Sequence, residues 1–230
     1  MSIWHKITQA LSALASGEAL SAIFDRLHTP PERSIAFAIA VLALGAKMAK
    51  ADGLVTRNEV RAFRTVFHIA PEDEAGAAHV FNLARQDVAG FEAYAYRIRE
   101  LFRNQEGALC DLMEGLFHIA IADGFYHPRE NDFLARVAEI FGLPQRDFMT
   151  LRARFVPDAG QDPYVVLAVS PEAELTEIKA AWRALVQACH PDVMIARGLP
   201  QEAIKLTEKR LIDVNAAWEE VQHMRRQTQP

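Results

Sequence analysis

Apolar residues recur at steps of three and four along most of the chain, a spacing that places them on one face of an α-helix. The pattern predicts helices over residues 3–27, 32–50, 60–67, 74–84, 91–102, 108–121, 128–141, 174–189 and 202–221. We therefore expect an all-α protein: a helical bundle followed by a helical hairpin.

The second predicted helix is apolar around most of its circumference. Its uncharged run, residues 34–46, lies between Arg33 and Lys47 and is well short of the roughly 20 residues that span a bilayer. A helix that is apolar all round is typical of the centre of a domain. We expect it to be the core helix of the first domain, and we expect no transmembrane span.

A helix–loop–helix pattern occurs twice in the first domain. Ala-Asp-Gly at residues 51–53 follows the central helix, and Glu59 stands where a capping-box glutamate would open the next helix. The pattern returns 71 positions later, where Ala-Asp-Gly at residues 122–124 precedes Pro128 and Glu130. This repetition predicts an internally duplicated helical bundle.

The acidic residues of the repeat raise the alternative of a metal site. They are Asp52, Glu59, Asp123 and Glu130. Calcium takes about six to eight oxygen ligands, and neither loop carries the alternating carboxylates of an EF-hand. Helix capping accounts for these acids without a metal. We therefore favour a structural role for all four, with metal binding as the alternative.

Residues 3–27 form an amphipathic pattern that ends before Pro30 and Pro31. We expect a helix docked on the domain behind it. A membrane-surface or self-association helix is the alternative, and the scarcity of Lys and Arg on its polar side disfavours the membrane.

The last third of the chain predicts a helical hairpin, because its two long helices each carry one apolar face. Pro191 cannot continue a helix and disfavours helical geometry at His190, so the first of these helices should stop there. The loop that follows, residues 190–201, should present His190 and Asp192 at the open tip of the hairpin.

Residues 156–161 are short and rich in turn formers, so they form a linker. Asp162 should cap the helix that follows, with Pro163 at its first position. The predicted division is residues 1–30 for the N-terminal helix, 31–155 for the first domain, 156–161 for the linker and 162–230 for the second domain.

Composition narrows the function. The net charge of −5 disfavours a dedicated nucleic-acid binder. Cys110 and Cys189 stand far apart without CxxC spacing, which fits a reducing compartment and gives no zinc site. No HExxH, GxSxG or Gly-rich phosphate loop occurs, so we expect neither an enzyme nor a cofactor. We expect a cytoplasmic location, with peripheral membrane association as the alternative.

Four blocks in the last third of the chain stand in the order and spacing of a known family. They are DPYVVL at residues 162–167, IKAAWR at 178–183, HPD at 190–192 and DVNAAW at 213–218. Together they resemble the J domain of DnaJ-type co-chaperones. The stretch HPDVMIARGLP at residues 190–200 resembles the DjlA branch, in which a TerB-like helical domain precedes the J domain, and residues 34–154 resemble that TerB-like domain.

The resemblance implies a protein that docks on a DnaK-type chaperone and stimulates its ATP hydrolysis. The residues it assigns to this docking are His190, Pro191, Asp192, Lys179, Arg183 and Arg197. The TerB-like domain would target or regulate the protein, through a client or through self-association.

Charge is where this sequence departs from the family. Residues 161–230 carry eight Lys and Arg against ten Asp and Glu, a net charge of −2. Val193 follows the tripeptide, where the family often has a lysine. Electrostatic steering towards the partner should therefore be weak. The alternative function is a TerB-like stress-response scaffold whose J domain is weakly active or inactive.

Overall fold

The structure is a computed structural model, and it describes residues 6–7, 20–25, 27, 32–52, 69, 74–86, 90–122, 124–156, 162–200 and 205–228. No strand occurs in these residues. A 3₁₀ helix spans Leu20–Asp25, and the α-helices are α1 (Glu32–Asp52), α2 (Glu74–Gln86), α3 (Phe91–Leu101), α4 (Glu106–Ala120), α5 (Pro128–Phe141), α6 (Gln145–Phe155), α7 (Pro163–Val166), α8 (Leu175–Ala188), α9 (Pro191–Ala196) and α10 (Lys205–Thr228).

Helix α1 is the centre of the first helical unit. Residues 36–44 are each at most 1% exposed, and the helix packs against α2, α3, α4 and α5. Burial on all sides is the arrangement expected for a helix that is apolar around its circumference. The prediction of a central core helix is confirmed, and the helix continues two residues beyond the predicted end at Lys50.

The described part of the N-terminal segment packs on this core. Ile7, Leu20, Ile23, Phe24 and Leu27 are buried in it, and the Phe24 ring meets the Tyr94 ring edge-on at 6.1 Å. The prediction of an α-helix was wrong for residues 20–25, which form a 3₁₀ helix. Apolar residues three apart share one face of either helix type, so their spacing alone did not separate the two.

The second Asp-Gly unit shows the predicted capping chemistry. Gly124 has a φ of +89°, and the Glu130 carboxylate accepts a hydrogen bond from the His127 backbone N–H at 2.8 Å. Gly142 ends α5 in the left-handed conformation, with a φ of +76°. In the first unit, Glu59 and the predicted helix at residues 60–67 lie outside the described residues, as does Asp123 in the second.

The second helical unit packs around the seam between α8 and α10. Tyr164, Leu167, Ile178, Val214 and Trp218 belong to its core. Asp162 caps α7 as predicted, since its side chain accepts a hydrogen bond from the Tyr164 N–H at 2.9 Å. The Trp182 and Trp218 rings stack at 5.3 Å across the seam, and Trp182 Nε1 donates to Asn215 Oδ1 at 2.9 Å.

The prediction that residues 190–201 form a loop was wrong in part, because Pro191–Ala196 form α9. Proline is well suited to the first position of a helix, since its missing N–H has no partner to lose there. Gly198 follows the end of α9 with a φ of +92°, the left-handed conformation typical of a residue after a helix. The tripeptide therefore begins a short helix.

Candidate functional site

His190, Pro191 and Asp192 occupy the junction between α8 and α9. Helix α8 ends at Ala188, and the His190 N–H donates to the Gln187 carbonyl in its last turn at 3.1 Å. His190 then becomes the N-cap of α9, with Pro191 as its first residue. The proline thus prevents one helix from continuing and starts the next.

The imidazole and the carboxylate of this tripeptide both point into solvent. The side chains of His190 and Asp192 are 61% and 86% exposed. His190 Nδ1 accepts a hydrogen bond from the Asp192 backbone N–H at 3.2 Å, and it lies 3.7 Å from Asp192 Oδ2. The hydrogen bond from the Asp192 N–H occupies Nδ1 and orients the imidazole ring. Nε2 remains available to a partner.

Two of the predicted basic contacts lie on the outer face of α8. Lys179 and Arg183 are both exposed, as are Glu174 and Glu177 near the start of the same helix. Val193 and Ile195 on α9 are also exposed, at 37% and 44%. The surface around the tripeptide is therefore of mixed charge with two aliphatic side chains, and weak electrostatic steering stays a prediction.

Arg197, the third predicted cation, is turned towards the first helical unit. Its side chain is only 30% exposed, and Nη1 lies 3.8 Å from Asp111 Oδ2 on α4. A Cβ on Gly107, also on α4, would lie 2.9 Å from Arg197 Nε. Glycine at this position therefore allows the guanidinium to approach the helix. Binding of a partner by Arg197 stays a prediction.

The two helical units meet at a buried ionic cluster that the sequence did not suggest. Asp111 and Glu114 on α4 are 1% and 0% exposed. Arg210 on α10 donates from Nε to Glu114 Oε2 at 2.7 Å and from Nη2 to Asp111 Oδ1 at 2.5 Å, and Nη2 also contacts Glu114 Oε2. Arg154 on α6 pairs with the other Glu114 oxygen.

Burial and charge pairing compete at the two buried carboxyl groups and shift their pKa values in opposite directions. Burial alone would raise the pKa of Glu114, but Arg154 and Arg210 outweigh it and lower that pKa to about 2. Burial prevails at Asp111, whose pKa is raised although Arg210 opposes the shift. Among the described residues, Asp111 Oδ2 has no hydrogen-bond donor, whereas both Glu114 oxygens are contacted by guanidinium groups. Glu114 is therefore the firmly ionised centre of the cluster.

His118 lies near the same cluster, one turn along α4 from Glu114. Its ring is edge-on to the Phe155 ring at 4.7 Å, and its buried Nε2 makes no hydrogen bond with the residues that the structure describes. Lys209 of α10 lies 5.5 Å above the same Phe155 ring. Burial, the largest influence, lowers the pKa of His118 to about 4; Lys209 and Arg154 also lower it, whereas Glu114 and Asp213 oppose the shift.

The cysteine beside the tripeptide has no feature of a nucleophile. Cys189 is buried, and burial raises the pKa of its thiol, an effect that Arg210 opposes. A reactive cysteine needs a lowered thiol pKa and access to substrate. Cys189 therefore serves as a packed residue at the end of α8.

Comparison with known proteins places both units in described families. The family model "Tellurite resistance protein TerB" matches residues 38–153, which is half of the chain. The chain belongs to the TerB family. A second model, "DnaJ domain", matches residues 162–228. The first unit is accordingly the TerB domain and the second the DnaJ domain.

Similar curated proteins cover both domains. The "Co-chaperone protein DjlA" of Photobacterium profundum is 24% identical over 94% of this chain and 87% of its own length. Those of Coxiella burnetii and Aliivibrio fischeri are 28% and 27% identical, over 77% and 82% of this chain and 73% and 78% of their own lengths. No solved structure matches the chain.

The structure describes the side chain of one of the four acidic metal candidates, Glu130. Glu130 of the TerB domain is used as a helix cap. Asp52 ends α1, but its side chain lies outside the described residues, with Glu59 and Asp123.

Within the part of the chain that the structure describes, no helix is long and apolar enough to cross a membrane.

The ionic cluster could have been suspected from one signal in the sequence. Helix α4 reads EGALCDLMEGLFHIA, an apolar helix with Asp111 and Glu114 three residues apart on one face. Carboxylates on a buried face need cationic partners, because an unpaired buried charge is costly. The sequence does not say which arginines supply them, since Arg197 and Arg210 resemble ordinary surface cations.

Proposed function

We propose that this protein is a co-chaperone that docks on a DnaK-type ATPase through His190, Pro191 and Asp192 and stimulates its ATP hydrolysis. The observation that carries the proposal is the exposure of these three residues at the start of α9, within a region that matches the DnaJ domain. The names of the relatives, co-chaperone proteins DjlA, support the same role.

The protein performs no bond chemistry itself in this proposal. It binds one conformation of its partner more tightly than another, and that difference in affinity is what shifts the partner towards hydrolysis. His190 Nε2 and the Asp192 carboxylate offer two hydrogen-bonding groups beside the rigid Pro191 ring. Because Asp192 N–H holds Nδ1, the imidazole presents a fixed edge.

The cations of α8 supply the electrostatic part of the docking. Lys179 and Arg183 extend the contact along the helix, whereas Glu174 and Glu177 weaken it for an acidic partner. Val193 and Ile195 add apolar area next to the tripeptide. We infer an interaction that depends on salt less than that of a strongly basic J domain. The TerB domain would contribute targeting or regulation, and client binding, self-association and cytoplasmic location remain predictions.

The experiment is a single-turnover ATPase assay of a DnaK-type chaperone with the full chain, its His190→Gln variant and its His223→Gln variant. His223 is an exposed histidine on α10 and serves as the matched control. We expect the parent and His223→Gln to accelerate hydrolysis by about tenfold or more, and His190→Gln to lose this acceleration while unfolding at the same temperature. Equal stimulation by His190→Gln and the parent would overturn the proposal.

A second function, a TerB scaffold with an inactive DnaJ domain, is favoured by one observation. Arg197 and Arg210, two of the eight basic residues of the domain, are directed at TerB carboxylates. In this alternative neither the parent protein nor either histidine variant accelerates hydrolysis in the same assay.

A further inference from the structure

The inner side of α9 is packed into the core of the TerB domain. Met194 is 0% exposed and Leu199 is 1% exposed, and both belong to the same apolar cluster as α1 and α4. The Leu199 N–H donates to the Met194 carbonyl at 3.1 Å, which closes the end of α9 over this contact. The residues immediately after the tripeptide therefore depend on the other domain for their burial.

Arginines of the DnaJ domain fix this packing on two sides. Arg210 joins Asp111 and Glu114, and Arg197 lies against Asp111 from the end of α9. Within the described residues, these two carboxylates face Arg154 from their own domain and Arg197 and Arg210 from the DnaJ domain. A buried carboxylate with a precise guanidinium partner gives a contact that tolerates little displacement.

The contact leaves the proposed partner site open. His190, Asp192, Lys179 and Arg183 all remain exposed while Met194 is enclosed. An autoinhibitory contact would cover the tripeptide, so the geometry favours a supporting role over a blocking one.

We propose that the TerB domain is a platform that holds α9 in the orientation needed for docking, with Arg210 as the positioning residue. This inference rests on the proposed co-chaperone function and gives the TerB domain a part in it. Ordering a segment before binding lowers the entropy lost when the partner binds. Loss of the platform should therefore weaken the affinity for the partner and leave the maximal stimulated rate in place, because the tripeptide itself is intact.

Two variants remove the contact from opposite sides. Arg210→Met keeps an unbranched side chain and leaves Glu114 paired with Arg154. Gly107→Phe places a ring where the Arg197 side chain now lies. Arg226→Met is the control, because Arg226 is an exposed arginine on the same helix whose hydrogen bond goes to Gln222.

Hydrogen–deuterium exchange of the full chain tests the platform directly. We expect residues 191–199 to exchange about tenfold faster or more in both variants, with α5 and α8 unchanged, which shows that each domain stays folded. Arg226→Met should match the parent. Exchange at the parent rate in both Arg210→Met and Gly107→Phe would overturn the platform.

The ATPase assay tests the positioning role separately. In Arg210→Met we expect the concentration for half-maximal stimulation to rise about three- to tenfold at an unchanged maximal rate, with Arg210→Lys between this variant and the parent. His190→Gln instead loses the maximal rate. Faster exchange with an unmoved stimulation curve would overturn positioning. If the parent gives no stimulation, the proposed function fails, and the exchange result alone decides whether the platform exists.

Discussion

The outer and inner sides of α9 lie in opposite environments, although adjacent residues of the chain supply them. On the outer side, His190 and Asp192 are exposed to solvent, and on the inner side Met194 is enclosed by the TerB core together with Leu199, which follows the helix. A helix of six residues has little stability of its own. The fixed geometry of the exposed side of α9 therefore comes from the packing of its buried side.

The largest expected loss of stability comes from truncating the buried side chain of α9. Met194→Ala removes a fully buried side chain and leaves a cavity, which should lower the free energy of unfolding by about 2–5 kcal/mol. Ile195→Ala is the control, because Ile195 is the next residue along α9 and is 44% exposed. Chemical denaturation followed by circular dichroism compares the two. A similar denaturation midpoint for both variants would contradict the claim that α9 is buried on one side and exposed on the other.

An intermediate effect should come from acid. The pKa of His118 is lowered from 6.5 to about 4 in the folded protein, so the unfolded chain binds more protons between these values and stability falls as pH drops. Between about pH 7 and about pH 5, His118 should account for roughly 2 kcal/mol of lost unfolding free energy.

Urea unfolding of the parent, His118→Gln and His223→Gln at both pH values measures this contribution. The parent and His223→Gln should lose the same free energy, and His118→Gln should lose less. His118 lies at the boundary between the domains, because Lys209 of the DnaJ domain lies over the Phe155 ring that contacts His118. An identical loss in all three proteins would remove His118 from the explanation.

The smallest effect should come from charge on the exposed side. Val193→Lys adds a cation beside the tripeptide, and an exposed charge contributes about 1 kcal/mol or less. We expect a lower half-maximal concentration for stimulation at about 50 mM salt and a return to the parent value at about 300 mM salt, because salt screens exposed charges. Val193→Gln serves as the uncharged control. A gain that persists at high salt would show that charge is not its cause.

Local signals in the sequence predicted the parts of the fold that depend on neighbouring residues. Pro191 ends one helix, Asp162 caps another, and the apolar run 34–46 lies at the centre of its domain. Each of these follows from the chemistry of a few adjacent positions. The start of α9 was missed, although Pro191 is as good a first helical residue as it is a helix terminator.

The contact between the domains was beyond the reach of the same reasoning. Arg210 and Glu114 are separated by 96 positions, and an arginine on an amphipathic helix is ordinarily exposed. Only the two acids within the apolar α4 hinted at buried partners. The guanidinium of Arg197 lies against Asp111, a contact that its sequence position does not indicate, and its binding of an external partner stays a prediction.

The most direct test follows hydrogen exchange in the unmodified full chain with and without a DnaK-type chaperone in its ATP state. If α9 binds the chaperone with its exposed side and stays packed on the TerB domain with its buried side, residues 190–196 should exchange more slowly when the chaperone binds. Exchange in α4 should be unchanged, because the contact with the TerB domain stays closed. Faster exchange in α4 on binding would mean that the partner releases the TerB domain, and no change at residues 190–196 would mean that the tripeptide is not the docking site.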